Sequence, residues 1–233
     1  VDVQGHDEVA ALAASFNGAA TRIEELVNAH RLLLANASHE LRTPLTRIRM
    51  AIELQKNQIE PARQRALEQD IQELDAMIED ILLSSRIDAS AHTTAHEEVD
   101  LLALAAEECA RFANSGIDVS GEAVIVHGDP TLLRRMVRNL VENGLRHGAL
   151  PLDVSVIKNG KRVVLQVTDH GSGIPAAAVN TIFEPFVRLP GSAAGGTGLG
   201  LSLVRKIAQH HGGTAIVANN GPRQFTVKIE FPV

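Results

Sequence analysis

The sequence predicts a multidomain chain, an all-α coiled coil and dimeric four-helix bundle followed by an α+β sandwich. Three observations predict it. Apolar residues recur at alternating steps of three and four from Val9 to Ala37, the spacing of a coiled-coil seam. Two further helical stripes follow, separated by a break at residues 57–61. Beyond Val99 the pattern mixes helical runs with period-two runs, two of them flanking Asn159-Gly160, a tight-hairpin signal.

In the first segment Val9, Phe16, Ile23, His30 and Ala37 share one heptad position, and Leu12, Ala19, Leu26 and Leu33 follow three residues later. A seam of about four heptads implies a parallel partner helix; an amphipathic helix packed within its own domain is the alternative. Leu41, Leu45, Ile48, Ile52 and Ile59 follow a displaced register, and such an interruption locally unwinds a coiled coil. It falls beside His39, which faces solvent in either register. After the break from Asn57 to Pro61, a second helix is expected from Ala62 to Asp88, with the stripe Leu67, Ile71, Leu74, Ile78, Ile81 and Ser85. One hairpin cannot bury both stripes, whereas two hairpins can, so packing calls for a homodimer. The small polar run Ala89 to Glu98 reads as a linker. His92 and His96 have the spacing of a helical metal pair but no third ligand nearby, and read as solvated.

In the second half Asp100 is placed to cap a helix running to Ala113. Strands are expected at Asp118–Ser120 and Ala123–His127, then a helix from Pro130 to Gly148. The hairpin strands are Leu152–Lys158 and Arg162–Thr168, followed by a helix from Leu199 to His211. Strands Thr214–Ala218 and Phe225–Phe231 close the sandwich.

Composition narrows the classes. The 233 residues hold one large domain or two to three small ones. A hydrophobic content of 45% rules out wholesale disorder. A net charge of −6 argues against a nucleic-acid binder. Cys109 is alone, so no intramolecular disulfide forms; it reads as a small core residue in a reducing compartment. No run of about 18 apolar residues occurs. The chain starts in mid-pattern at Val1 with no initiator Met. It is read as a cytoplasmic fragment, reaching a membrane only through segments that precede it.

Two regions carry chemistry. In the run Ser38-His39-Glu40-Leu41-Arg42-Thr43-Pro44-Leu45, Glu40 lies about 100° round the helix from His39 and can reach back to the imidazole. Thr43, at i+4, stands over the same face as His39. Pro44 cannot donate to the carbonyl of Glu40 and loosens the helix there. A carboxylate on Nδ1 makes Nε2 more basic, hence a usable nucleophile.

The second region has four pieces. Asn139, Asn143 and His147 stand at i, i+4 and i+8, a spacing that also suits a plain polar helix surface. An Asn amide oxygen suits Mg²⁺ held mainly by phosphates and water, and Arg138 and Arg146 flank the face, within reach of phosphate oxygens. Asp169-His170-Gly171-Ser172-Gly173-Ile174 offers a carboxylate at a strand end and glycines that admit a flat base. Ile182-Phe183-Glu184-Pro185-Phe186-Val187-Arg188 sets a cation after apolar anchors. Gly195-Gly196-Thr197-Gly198-Leu199-Gly200-Leu201 opens a helix, whose N–H groups favour phosphates.

The octet around His39 resembles the phosphoacceptor box of sensor histidine kinases. Thr46-Arg47-Ile48-Arg49-Met50 resembles their osmosensing and envelope-stress branch, and Asp7-Glu8 the start of the second helix of a HAMP signal-relay module. In order and spacing, the four pieces resemble the N, G1, F and G2 boxes of the histidine-kinase ATP-binding domain. That fold is shared with type II topoisomerases, a heat-shock chaperone and mismatch-repair ATPases. The resemblance implies residues 1–30 as the C-terminal part of the HAMP or signalling helix, and 31–90 as the dimerisation and phosphotransfer hairpin. It implies 91–98 as linker and 99–233 as the catalytic domain with a histidine-kinase/gyrase-type ATPase fold.

The resemblance further implies ATP-dependent phosphorylation of His39, with Glu40 as acid/base partner and Thr43 positioning water when phosphate is removed. The phosphoryl group would pass to an aspartate on the receiver domain of a response regulator, a step the same core can also reverse by dephosphorylation. By matching position, Asn143 is the Mg²⁺ ligand, Asn139 assists at the phosphates, and His147 lies near base or ribose. Asp169 reads the adenine amino group and Arg188 meets the terminal phosphates. Gly171, Gly173, Gly196, Gly198 and Gly200 shape pocket and lid, and Arg146, Thr197 and Leu199 complete the nucleotide-binding set. The whole protein would then sit in a bacterial inner membrane. Three positions depart from the pattern. Gly144 stands where Ala is usual, His147 where Tyr is frequent, and Leu189 to Gly195 is short and lacks a second cation. A relay scaffold with a degenerate nucleotide domain and an ATP-hydrolysing clamp are the competing readings. The related ATPases place a Glu where Asn139 stands, and an amide cannot take a proton from water; Glu142 points about 100° away.

Overall fold

The structure is a computed structural model that describes residues 16–18, 45–46, 48–52, 60–89, 97–112, 116–189, 197–219 and 224–232. The chain divides into two compact units, Val1–Ala89 and Ser90–Val233. Among the described residues no helix is long and apolar enough to cross a membrane.

In the first unit helix α1 runs from Pro61 to Ala89. Pro61 suits its first position, where an N–H would have no partner, and Gln64 N–H donates to Glu60 O at 3.1 Å. Ile71 is buried with Leu45 and Ile52, which are themselves helical, and Leu67 and Ile78 pack against this cluster. The two stripes therefore meet, but only in part. Leu74 remains 46% exposed, and Ile48 and Met50 48% and 64%. Most of the coiled-coil seam lies outside the described residues; Phe16, within them, is exposed.

The second unit begins with strand β1, Glu97–Asp100, which pairs antiparallel with β3, Ile125–Gly128, aligning Val99 with Val126. Here the structure corrects the sequence reading, since Glu97 and Glu98 were placed in the linker. A four-residue strand with one apolar side chain shows no alternation, and only pairing makes it a strand. Helix α2, Leu101–Ala110, is capped by Asp100, whose Oδ1 accepts from Ala103 N–H at 3.0 Å. It ends three residues before the expected Ala113, in a turn where Phe112 N–H donates to Cys109 O.

Helix α3, Pro130–His147, starts at Asp129, whose carboxylate accepts from Thr131 and Leu132 N–H. Leu133, Met136, Val137, Leu140 and Val141 face inward. Helix α4 spans Gly200–His210 and buries Leu203, Val204 and Ile207. Both helices pack together, and α2 packs against α3.

Below them lies a five-stranded sheet. Its strands are β2 (Ile117–Gly121), β4 (Leu152–Asn159), β5 (Arg162–Asp169), β6 (Thr214–Asn219) and β7 (Phe225–Pro232), in the order β2-β4-β5-β7-β6. β2 and β4 are parallel and the other pairs antiparallel. Asn159 faces Arg162 across the tight turn at Gly160, whose φ of 61° suits glycine. Val154, Val156, Val163, Leu165, Val167, Val227 and Ile229 fill the buried face. Asp153, Ser155, Gln166, Thr168 and Lys228 alternate to the other. The result is the expected two-layer α+β sandwich.

Candidate nucleotide site

The C-terminal half of α3 is where the four sequence pieces meet. Asn139 is buried, and its Nδ2 donates to Gly200 O at 3.4 Å. That contact ties the middle of α3 to the first residue of α4. Asn143, one turn on, is half-buried, and Glu142 is exposed. His147, at the last position of α3, is electrostatically coupled to Arg188 from the apolar-anchored segment as well as to its neighbour Arg146. Burial, then the Arg146 charge, then the Arg188 charge, hold the His147 imidazolium below the ordinary histidine range. Two arginine charges thus stand beside an imidazole held towards its neutral form at this end of the helix.

Immediately past α3, Gly148 faces Asp169 so closely that a Cβ there would overlap the carboxylate. Asp169, at the end of β5, is buried, and its Oδ1 accepts from Gly171 N–H at 2.9 Å. Burial raises its pKa, while hydrogen bonds from the backbone of Gly171 and Ala149 and the charge of His170 oppose the rise. Gly171 also touches this carboxylate: a Cβ would stand 2.8 Å from Oδ1. Gly173 has φ of 70°.

The other two pieces meet each other. Phe183 is buried and anchors its segment. Phe186, exposed with a φ of 64°, donates its N–H to Gly198 O at 2.9 Å. Gly198 has φ of 69°, and a Cβ on it would sit 3.0 Å from the Phe186 backbone, so both conformation and space require glycine. Thr197 Oγ1 accepts from Leu199 N–H at 3.2 Å, and the buried Leu199 accepts from Ser202 Oγ at 2.7 Å. A Cβ at Gly200 would meet only open space. Gly196 lies outside the described residues, as do His39, Glu40, Thr43, His92 and His96.

One assignment is corrected. Arg138 does not serve phosphates: its Nε and Nη2 donate to Glu108 Oε2 at 3.0 and 2.9 Å. Glu108 is 1% exposed, with Arg134 and Arg111 further from its other oxygen at 3.6 and 3.8 Å. The signal was present, since Leu101, Leu104, Ala105 and Glu108 form one buried helical stripe and a carboxylate there must be paired. Arg138→Met is expected to lower the stability of the unit by about 2 kcal/mol, because Arg134 and Arg111 compensate only partly. Urea unfolding reads that loss, with nucleotide affinity of the folded variant unchanged. Gly144 also gains a reason: a Cβ would overlap the buried Leu152 side chain. Gly148 was missed as a site residue; the sequence reading took it only as the end of the helix that starts at Pro130, whereas the helix ends at His147.

The depressed His147 carries a pH consequence. A polyanion bound here would offset the arginine charges and raise the imidazole pKa, so nucleotide binding at this place would take up protons as pH falls through the histidine range. Calorimetry in buffers of different ionisation enthalpy should show that uptake, and His147→Gln should abolish it; proton release would contradict the placement. In the free protein the sign for folding follows as well: a lowered histidine stabilises the fold above its ordinary pKa and loses that contribution as pH drops below it.

Comparisons with known proteins find two family domains in the chain. Residues 128–233 match the family "Histidine kinase-, DNA gyrase B-, and HSP90-like ATPase", and residues 29–90 the "His Kinase A (phospho-acceptor) domain". Sensor protein RstB of Escherichia coli is 35% identical over 87% of this chain and 49% of its own length. Sensor histidine kinase GtrS of Pseudomonas aeruginosa is 32% identical over 100% of this chain and 48% of its own. The chain thus spans about half the length of these curated relatives. Among solved structures, full-length ShkA in complex with AMPPNP superposes with a TM-score of 0.68 at 27% identity, covering 85% of this chain and 45% of ShkA. The catalytic domain of histidine kinase ThkA superposes at 0.52 and 27%, covering 60% of this chain and 98% of that domain.

Proposed function

Because the chain belongs to the sensor histidine kinases of two-component systems, we propose that it binds ATP and Mg²⁺ in its second unit and phosphorylates His39. It then passes the phosphoryl group to an aspartate on a response-regulator receiver domain, and it also dephosphorylates that regulator. The observation that carries this reading is the convergence of four separate segments on the C-terminal half of α3. In the transfer, His39 Nε2 attacks the γ-phosphorus, the bond to the β-γ bridging oxygen breaks, and ADP leaves. Glu40 holds Nδ1–H and keeps Nε2 nucleophilic.

The residues fit the ligands. Asp169 offers a buried carboxylate for an adenine amino group, in a cradle that needs glycine at 148 and 171. Arg146 and Arg188 supply positive charge beside His147. Asn143 would hold Mg²⁺ through its amide oxygen, and the metal would neutralise phosphate charge. Asn139, an amide, cannot activate water, which favours transfer over free ATP hydrolysis.

Packing supports a homodimer. Leu74, Ile48 and Met50 are exposed, and a second copy would cover them as a four-helix bundle. We assign residues 1–30 to a HAMP-like signalling helix, 31–90 to the dimerisation and phosphotransfer hairpin, 91–96 to the linker and 97–233, from strand β1 onward, to the ATP-binding domain. The likeness of residues 46–50 to the osmosensing and envelope-stress branch, and anchorage in a bacterial inner membrane by preceding segments, belong to the same proposal.

Incubation with γ-labelled ATP and Mg²⁺ tests it: the chain should acquire base-stable, acid-labile label, and a chain that binds ATP yet never labels would be a scaffold. Two variants then divide the tasks on the His39 face. Thr43→Ala should keep most autophosphorylation and lose at least about tenfold in regulator dephosphorylation, because its hydroxyl aligns the attacking water. Glu40→Gln should do the reverse, slowing autophosphorylation first. If Thr43→Ala lost kinase rate as severely as Glu40→Gln while keeping phosphatase rate, that division would have to be abandoned.

A further inference from the structure

His170 stands between Asp169 and Gly171, and its side chain has no part in the reading above. Leu152, the first residue of β4, pairs with Asp169, the last of β5, so the segments before β4 and after β5 leave the sheet side by side. They are laced together beyond its edge. His170 N–H donates to Ala149 O at 2.9 Å. His170 Nδ1 lies 2.9 Å from Pro151 O, and since a carbonyl only accepts, Nδ1 carries the hydrogen. Nε2 is 3.7 Å from Asp153 Oδ2. The Asp169 carboxylate takes backbone hydrogen bonds from both segments, from Ala149 and from Gly171. Pro151 has no N–H and cannot extend the ladder as a donor, and the imidazole supplies a cross-link at the position where the backbone pattern stops.

We propose that His170 is the positioning residue of base recognition: by bracing residues 169–171 against residues 149–153 it fixes where the Asp169 carboxylate points, and so sets preference for adenine over guanine nucleotides. Asp169 meets an exocyclic amine on adenine, where guanine presents a carbonyl oxygen. A carboxylate held in place accepts from the first and repels the second, while one free to swing discriminates less. This inference rests on the reading of Asp169 as the adenine contact.

The test uses the full chain with Mg²⁺ and three probes: ATP, GTP and inorganic tripolyphosphate. His170→Ala should weaken ATP binding about fivefold, the order expected for one net hydrogen bond, with tripolyphosphate affinity unchanged and the ATP-to-GTP ratio reduced. His170→Asn, whose Nδ2 can donate to the same Pro151 carbonyl, should restore the ratio. A purely structural role would move ATP and tripolyphosphate together and lower the urea midpoint; that result overturns the proposal, as does unchanged ATP affinity in His170→Ala. Asp169→Ala separates the two levels. If it leaves the ATP-to-GTP ratio as in the wild type, the adenine assignment falls and takes this proposal with it. If it removes the ratio while His170→Ala does not, only the role of His170 falls.

Discussion

Replacing His39 with Ala is expected to remove all base-stable, acid-labile label from the chain, a loss of at least about three orders of magnitude in the kinase reaction. Nucleotide affinity should change less than about twofold. The separation follows from the architecture: His39 belongs to the compact unit Val1–Ala89, whereas every nucleotide-contacting candidate belongs to Ser90–Val233. Among the other histidines, none repeats the sequence in which a carboxylate follows directly and a threonine stands four residues on, before a proline. His211, for instance, directs Nδ1 to Ile207 O at 2.7 Å and accepts from Asp129 N–H at Nε2, which leaves no nitrogen for phosphorus. Label persisting in His39→Ala would place the acceptor elsewhere and remove the first region from the mechanism, while leaving the nucleotide site intact.

How much of this was legible in the sequence varies with the range of the interactions. Caps and turns are local, so Asp100, Pro130 and Asn159-Gly160 marked their elements before any tertiary contact was known. The i, i+4, i+8 spacing of Asn139, Asn143 and His147 likewise described one helix face, which the structure places against Gly200 and beside Arg188. What could not be read depends on partners distant in the chain. Strand β1 exists because Val99 meets Val126. Arg138 looked like a phosphate ligand because it flanks the polar face, and only the packing of α2 on α3 shows it bound to Glu108. The glycine at 144 was only a departure from the usual alanine; the Leu152 side chain occupies the space its Cβ would need. The left-handed backbone of Phe186 carries no sequence signal at all, since a bulky residue is disfavoured there, and its N–H bond to Gly198 fixes that conformation.

The second large effect is expected at Asn143. Asn143→Ala should reduce the gain in ATP affinity that Mg²⁺ confers by roughly tenfold to a hundredfold, the range in which residues around metal sites act, while affinity measured with a chelator stays near that of the wild type. Two neighbours on the same face supply the contrast. Asn139 is buried and spends its amide on Gly200 O, so Asn139→Ala loosens the start of α4 and weakens nucleotide binding with or without metal. Glu142 is exposed and points off the face, so Glu142→Gln should alter neither. Asn143 alone of the three is half-buried, and one turn later His147 stands beside the charges of Arg146 and Arg188. A neutral oxygen beside those cations can hold Mg²⁺ only when phosphates supply the negative charge, so metal and nucleotide should bind interdependently. Titrations of ATP at fixed Mg²⁺ and of Mg²⁺ at fixed ATP must therefore yield the same coupling factor in the wild type. In Asn143→Ala that factor should collapse towards one from both directions; a factor that stayed at its wild-type value would show that another group holds the metal.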